Sequence, residues 1–319
     1  MEIDYYINIL KDQPSWIILL SSLGFLILLR AAIAPLIWVY SAFLRPGKDL
    51  KSFYGSWALV TGATDGIGKA IALQLAHRGL HLVLAGRNPA KLKQVADGIK
   101  ATHTATMVKP VIVDLATDTA EWIDRLEAEI EGLDVGVLVN SAGTTYPHAM
   151  FFHEVEEELW RSIVRVNVEA TTRVTRAVLP GMLRRRRGAV VNIGSASSAV
   201  LPSFPFSAVY AASKAYIDQF SRSLSVEYKR MGIDVQCQIP FYVATKMVST
   251  KQSSTFVPSP DDYAKAAVDW IGHGTRCTPY WSHSLQWCFT CFIPDFVLHL
   301  WRFHVGITNR NQAVRSKEA

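Results

Sequence analysis

The sequence predicts an α/β fold, a doubly wound parallel sheet in a single domain, with an N-terminal membrane anchor. Three observations carry that reading. From Tyr54 onward, short apolar runs alternate with helical patterns, the signature of a parallel sheet covered on both faces. A glycine-rich turn, TGATDGIG, separates the first apolar run from the first helical pattern. Before Tyr54, residues 15–44 carry a single charge, Arg30.

The anchor comes first in the chain. Residues 15–29 fall short of the ~20 a span needs, so the apolar segment runs on past Arg30. It crosses once, with Arg30 snorkelling, or forms a hairpin whose second half faces Arg30. Acidic residues precede it (Glu2, Asp4 and Asp12) and no small-residue cleavage site stands out, unlike a cleaved signal peptide. Arg45, Lys48 and Lys51 come next, and such positive flanks keep the following domain on the cytosolic side. The expected divisions are a 1–53 anchor and basic linker, a 54–275 main domain, and a 276–319 apolar segment with a basic tail.

The elements of the main domain follow in order. SWALVTG reads as a buried strand, and GIGKAIALQLAHRG as a helix closed by Gly79. HLVLAGR is a second strand, and NPAKLKQVADGIKA a helix with Pro89 in its first turn. TMVKPVIVDL is the third strand, DTAEWIDRLEAEIEG an amphipathic helix, and LDVGVLVNSAG the fourth strand. HEVEEELWRSIVRVNVEATTRVTRAVLPGML spans one long helix or two. GAVVNIGS is the fifth strand, AVYAASKAYIDQFSRSLSVEYKRMG a helix, and IDVQCQIP the sixth strand.

Composition narrows the chemistry. Half of the 319 residues are hydrophobic, enough for one large core with apolar surface to spare. The net charge of +6 and pI of about 9.1 suit an anionic ligand or an anionic lipid surface. No basic stripe interleaved with aromatics is present, which argues against nucleic acid. Four cysteines, Cys237, Cys277, Cys288 and Cys291, do not make a disulfide framework in a chain this long.

The glycine turn lies where a strand gives way to a helix, a place suited to a dinucleotide pyrophosphate. Gly62, Gly66 and Gly68, with Thr64, Asp65 and Ile67 among them, are the expected contacts. Arg87 ends the second strand where an acid would repel a 2′-phosphate, so NADP(H) is favoured over NAD(H). Asp114 and Leu115 end the third strand and flank the adenine position. Asn140, Ala142 and Gly143 end the fourth, beside the cofactor crevice.

The reacting end rests on Tyr210 and Lys214. That spacing also occurs at Tyr242 and Lys246, so spacing alone decides nothing. Context does. Tyr210 and Lys214 open a helix that follows a strand ending in Ser195, and four residues place both on one helix face. An ammonium beside a phenol lowers its titration from ~10. The phenol then gives a proton to a carbonyl oxygen that a serine hydroxyl also holds. Tyr242 and Lys246 read as a loop over the site.

These residues resemble the short-chain dehydrogenase/reductase family, a Rossmann-type fold, over residues 54–275. TGxxxGIG, N-x-AG and a serine before Tyr-x-x-x-Lys carry the resemblance. It implies that Asn167 completes a catalytic tetrad, that Lys214 also holds the nicotinamide ribose, and that Thr245 touches the cofactor. LRPGKDLKSFYGSWALVTGATDGIGKA, YPHAMFFHEVEEEL, YKRMGIDVQCQIPFYVATKM and CTPYW are similar to the membrane-bound very-long-chain 3-oxoacyl-CoA reductases, particularly the plant type. That closer resemblance implies NADPH, a long-chain acyl-CoA substrate, the endoplasmic reticulum membrane and partners in fatty-acid elongation. Two alternatives stay open: a hydroxysteroid dehydrogenase, and a catalytically weak scaffold. Ser141 stands where the family usually has a second asparagine. The catalytic serine is Ser195 by strand-end alignment and Ser197 by family spacing.

Other features are set aside. Arg184–Arg187 precede the fifth strand, at the edge opposite the site, and read as a solvated turn or a contact with anionic lipid. Cys288 and Cys291 have metal-like spacing, but the stretch that follows to His299 and His304 is apolar and short for a finger, so no metal is expected. Residues 281–301 read as lying on the membrane or capping an acyl tunnel. His148 and His153 read equally as pocket or surface. Arg315 and Lys317 resemble a dibasic retrieval signal.

Overall fold

The computed structural model describes residues 13–119, 121–248 and 252–318. The chain falls into two compact units, Met1–Pro46 and Gly47–Ala319. Glu2, Asp4, Asp12 and the Lys317 side chain lie outside the described residues.

In the first unit, helix α1 (Ser15–Val39) runs through Pro35 and widens into a π-turn at Tyr40–Leu44. None of its residues is buried, and the 30-residue stretch is long and apolar enough to cross a membrane. At 1.5 Å per residue it extends about 45 Å, against a hydrocarbon core of about 30 Å. The helix is continuous, so the described residues contain no hairpin turn.

The second unit starts earlier than Tyr54. Helix α2 (Leu50–Tyr54) buries Leu50 and Tyr54 in the core. Tyr54 Oη donates to Asp234 at 2.6 Å and accepts from Lys48 Nζ at 2.9 Å, which fixes the linker to the body.

Seven parallel strands follow in the order β3-β2-β1-β4-β5-β6-β7. They are β1 (Trp57–Thr61), β2 (His81–Gly86), β3 (Val108–Ile112), β4 (Val135–Asn140), β5 (Gly188–Ile193), β6 (Ile233–Gln238) and β7 (Arg276–Cys277). The sequence pointed to six. Two residues of β7 are too few to show any periodicity, and only their pairing with Cys237 and Gln238 makes them a strand.

Helices cover both faces. One core packs α2, α3 (Gly66–His77), α4 (Pro89–Thr102) and α10 (Pro260–Asp269) on the sheet. The other packs α5 (Glu121–Ile130), α7 (Ala170–Arg185) and α9 (Ala208–Tyr228). Strands β4 and β5 are buried along their whole length, as their mainly apolar runs predict, with Asn140 and Asn192 buried among them. Thr61 lies opposite both Ala85 and Asn140, and Asn140 opposite Asn192. The carboxyl ends therefore form one edge, and the order reverses between β1 and β4, which opens a crevice there.

The long helical pattern before β5 is one rod in three parts: α6 (Glu157–Val164), a π-turn (Arg165–Glu169) and α7. At its far end Arg185 and Arg187 both pair with Asp134, at 2.8 and 3.1 Å. The arginine run is thus not simply a solvated turn. Two of its members clamp the end of α7 to the start of β4.

Residues 276–319 belong to the same compact unit as the sheet, so no unit boundary falls at 275. Helix α11 (Trp281–Thr290) begins with Ser282 and His283 fully buried. Helix α12 (Asp295–Glu318) buries Leu298 and Arg302 while Phe296 and Leu300 stay exposed, as do Phe289 and Phe292 before it.

Candidate active site

The glycine turn is shaped by the chain itself. Gly62 has φ +67°, and a Cβ there would stand 2.8 Å from the Ala142 backbone. A Cβ on Gly68 would stand 2.4 Å from the Gly62 carbonyl oxygen. The first approach packs the turn against the exit of β4, and the second packs the turn against itself. Ser141 and Ala142 amides both donate to Thr61 Oγ1 at 3.2 Å, which ties the two strand ends together. Ser141 Oγ lies beside Gly68, where its small size fits. Asp65 caps α3 by accepting from the Gly66 amide at 2.9 Å.

The later loop closes over this turn. Lys246 pairs with Asp65 at 2.7 Å and, with a hydrogen bond from Gly66, holds that carboxyl below its usual range despite partial burial. The Thr245 methyl stands 3.2 Å from the Cβ position of Gly66. The second Tyr/Lys pair therefore contributes through Lys246 at the cofactor end.

These features fit a dinucleotide. A tight turn opens a 12-residue helix whose first amides face an anion. Thr64 fills the space over Gly86, where a Cβ would come within 2.9 Å of its methyl. Arg87 follows, exposed at the end of β2 with no ion-pair partner among the described residues. Asp114 is exposed at the end of β3 and accepts from the Ala116 amide. Asn140 differs from expectation. Its amide donates to Thr175 and Asn192, at 3.0 and 2.8 Å, so its side chain braces the strands beneath the crevice.

Tyr210, Lys214, Ser195 and Asn167 come together at the exits of β4 and β5. Ser195 caps the short helix α8 (Ala196–Ala199) and is hydrogen-bonded to Tyr210. Ser197 is buried behind it and donates to Ser195 Oγ at 2.9 Å. Of the two candidate serines, Ser195 therefore faces the phenol and Ser197 orients it. Lys214 Nζ donates to the Ile193 carbonyl at 2.8 Å and stands 6.0 Å from the centre of the Tyr210 ring. Asn167 sits in the π-turn, a wider helical turn frequent at functional sites. Its side chain accepts from the Thr144 amide, and donates to the Thr144 carbonyl and to Ser213 Oγ at 3.0 and 2.9 Å. A Cβ on Gly143 would be 3.6 Å from both Asn167 Oδ1 and Lys214 Nζ.

The electrostatics differ from the sequence expectation in one respect. Burial pushes the Tyr210 phenol above its ordinary value; the Ser195 hydrogen bond opposes this and the Tyr242 phenol adds to it. The nearby ammonium does not win. Burial instead lowers Lys214 to about 8. Tyr210 is accordingly a protonated phenol at neutral pH, the form that donates.

Sequence reasoning missed three supports. His283 is fully buried at the start of α11. Its Nδ1 accepts from the Phe241 amide at 3.3 Å, so Nε2–H donates to the Tyr242 carbonyl at 3.2 Å. Burial holds His283 down at about 4, hence neutral. Phe206, four residues before Tyr210, has a left-handed backbone, φ +65°. It is held there between Phe151 and Phe303, and a Cβ on Gly306 of α12 would strike its ring at 2.2 Å. Arg302 of α12 is the third. His148 is half-buried beside the Ala149 carbonyl, and His153 is exposed and stacks on Phe151.

Comparison with known proteins agrees with this geometry. A very-long-chain 3-oxoacyl-CoA reductase-like protein of Arabidopsis thaliana is 49 % identical, over 94 % of this chain and 97 % of that protein. The inactive hydroxysteroid dehydrogenase-like protein 1 of Homo sapiens is 42 % identical, over 82 % and 79 %. The very-long-chain 3-oxoacyl-CoA reductase of Coprinopsis cinerea is 36 % identical, over 97 % and 94 %. Among solved structures, a short-chain dehydrogenase from Sphingobium yanoikuyae in complex with NADPH is 28 % identical with a TM-score of 0.61, covering 67 % of this chain and 83 % of that one. The short chain dehydrogenase profile matches residues 56–255, and with the crevice and converged tetrad just described, the chain belongs to that family.

Proposed function

We propose that this protein reduces very-long-chain 3-oxoacyl-CoA to 3-hydroxyacyl-CoA with NADPH, as a component of fatty-acid elongation. The observation that carries the reading is the convergence of Tyr210, Ser195, Lys214 and Asn167 beside the glycine turn, in a chain whose relatives bear that name. NADPH supplies the hydride when bound. Gly62, Thr64, Asp65, Gly66, Ile67, Gly68, Ala142, Gly143 and Thr245 border the crevice that would hold it, with Arg87 at the 2′-phosphate and Asp114 at the adenine.

The chain's own residues handle the oxygen and the proton. Ser195 donates a hydrogen bond to the reacting carbonyl oxygen, and Tyr210 delivers its proton to the same atom. Lys214 carries the positive charge that steadies the phenol as it loses that proton. Asn167 holds Thr144 and Ser213, and so the spacing between the β4 exit and α9.

Helix α1 serves as the membrane anchor and the exposed aromatics of α11 and α12 lie against the lipid surface, with the body on the cytosolic side of the endoplasmic reticulum. A hydroxysteroid substrate and a catalytically weak scaffold are the other readings, and the name of the human relative, an inactive hydroxysteroid dehydrogenase-like protein, speaks for the scaffold. The assay offers the solubilised protein NADPH with a long-chain 3-oxoacyl-CoA and with a ketosteroid. Thioester turnover alone supports the proposal. Steroid turnover alone replaces it, and NADPH binding without turnover of either moves the protein to a scaffold role.

Two further outcomes are expected. Arg87→Glu weakens NADPH by about tenfold or more, since it replaces a charge-assisted contact with repulsion, while NADH is little affected. Equal loss with both cofactors would remove Arg87 from the 2′-phosphate. Reduction also depends on pH through Lys214. Its ammonium is present below about 8 and is lost above it. The Tyr210 acid persists to higher pH because its value is raised. The pH profile of kcat/KM should be flat near neutrality and fall as pH rises through about 8; a fall on the acid side of neutrality instead would contradict these roles.

A further inference from the structure

Beside the site, Arg302 is a buried cation with no carboxylate counterpart among the described residues. Arg302 faces inward from α12 and is 5 % exposed. Its guanidinium stacks on Phe204 at 4.0 Å and lies 5.4 Å from the Trp301 ring. One Nη reaches Tyr242 Oη at 3.5 Å, a long contact. Among the described residues no carboxylate pairs with it, and its Nε–H is buried without an acceptor. Burying an unsatisfied guanidinium is costly, and such groups in folded proteins call for a partner. A guanidinium has five donors and no acceptor, so that partner is an oxygen.

Position narrows the choice. Phe204 belongs to the loop between Ser195 and Tyr210, and Tyr242 to the loop after β6. The Tyr242 phenol is near enough to Tyr210 to affect its titration, and His283 pins its backbone. Arg302 is therefore one side chain behind the reaction centre, reached through Tyr242 and Phe204. A CoA diphosphate is separated from the reacting carbon by the whole pantetheine arm, too far for this place. A 3-oxoacyl thioester, though, carries a second carbonyl two carbons from the one reduced.

Building on the reductase reading, we propose that Arg302 donates to the thioester carbonyl oxygen of the substrate and so selects 3-oxoacyl thioesters over simple ketones. Phe204 and Trp301 keep the guanidinium dry, and Tyr242 orients it.

The test is a two-by-two comparison of kcat/KM. The enzymes are wild type and Arg302→Met. The substrates are a 3-oxoacyl-N-acetylcysteamine thioester, which has no phosphate, and its thioether analogue, in which CH2 replaces the thioester carbonyl. Wild type should prefer the thioester by about 10- to 100-fold, the range of a hydrogen bond to a charged group. Arg302→Met should lose that preference, mainly through KM, with NADPH binding unchanged as the check on folding. Should the variant misfold, the wild-type preference still decides, because its absence overturns the proposal. A preference that survives in Arg302→Met also overturns it. Failure of wild type to reduce any 3-oxoacyl thioester would instead remove the reductase reading and this inference with it.

Discussion

Tyr210→Phe is expected to abolish reduction while leaving NADPH binding nearly intact. The substitution removes one hydroxyl and almost no volume. General acids of this kind contribute about 10²–10⁴ in rate, so steady-state turnover should drop by that factor. The hydroxyl is hydrogen-bonded to Ser195 and raised by burial, hence fully protonated at working pH. No neighbour replaces it. The Tyr242 phenol is half-exposed and in long contact with Arg302, and the Tyr146 phenol accepts from the Val209 amide. Stopped-flow measurement of NADPH oxidation separates the two effects. Wild-type turnover by the variant would show that the proton comes from elsewhere.

The second large effect is expected at Gly62→Val. The backbone there has φ +67°, and a β-branched residue in that region is a true outlier, costing about 1–3 kcal/mol in strain alone. The new side chain also meets the Ala142 backbone, which is held by Thr61 and has no room to retreat. The combined loss should exceed about 4 kcal/mol, placing it among rare single-site effects. Chemical denaturation should show a lower midpoint, and NADPH fluorescence titration should show no binding. Gly98→Ala serves as the control. Gly98 lies inside α4 with nothing within 4 Å of its Cβ position, so the change should stabilise by about 0.5–1 kcal/mol.

The strands and the candidate pair Tyr210 and Lys214 were legible because each is a local pattern. Apolar runs of five or six residues announce buried strands, and Tyr210 and Lys214 share one helix turn after a strand-ending serine. The glycines were legible too, but for an incomplete reason. The turn needs Gly62 and Gly68 because its own chain crowds them, besides any ligand it cradles. What escaped is tertiary. His283 and Arg302 are separated from Tyr210 by more than 70 residues, and nothing local distinguishes them from surface residues. Asn140 misled because strand-end position says nothing about which way a side chain turns. The titration of Tyr210 misled because spacing reveals the ammonium nearby but not the burial that outweighs it.

One contact has a consequence in time. Helix α12 follows all seven strands of the sheet in sequence, so it leaves the ribosome after them. The sheet and glycine turn can assemble before it arrives, as earlier segments of a domain generally do. The loop into Tyr210 cannot settle then, because Phe206 keeps its strained backbone only when Gly306 and Phe303 close on its ring. A nascent chain thus acquires the capacity to grip a dinucleotide before it acquires the capacity to spend one.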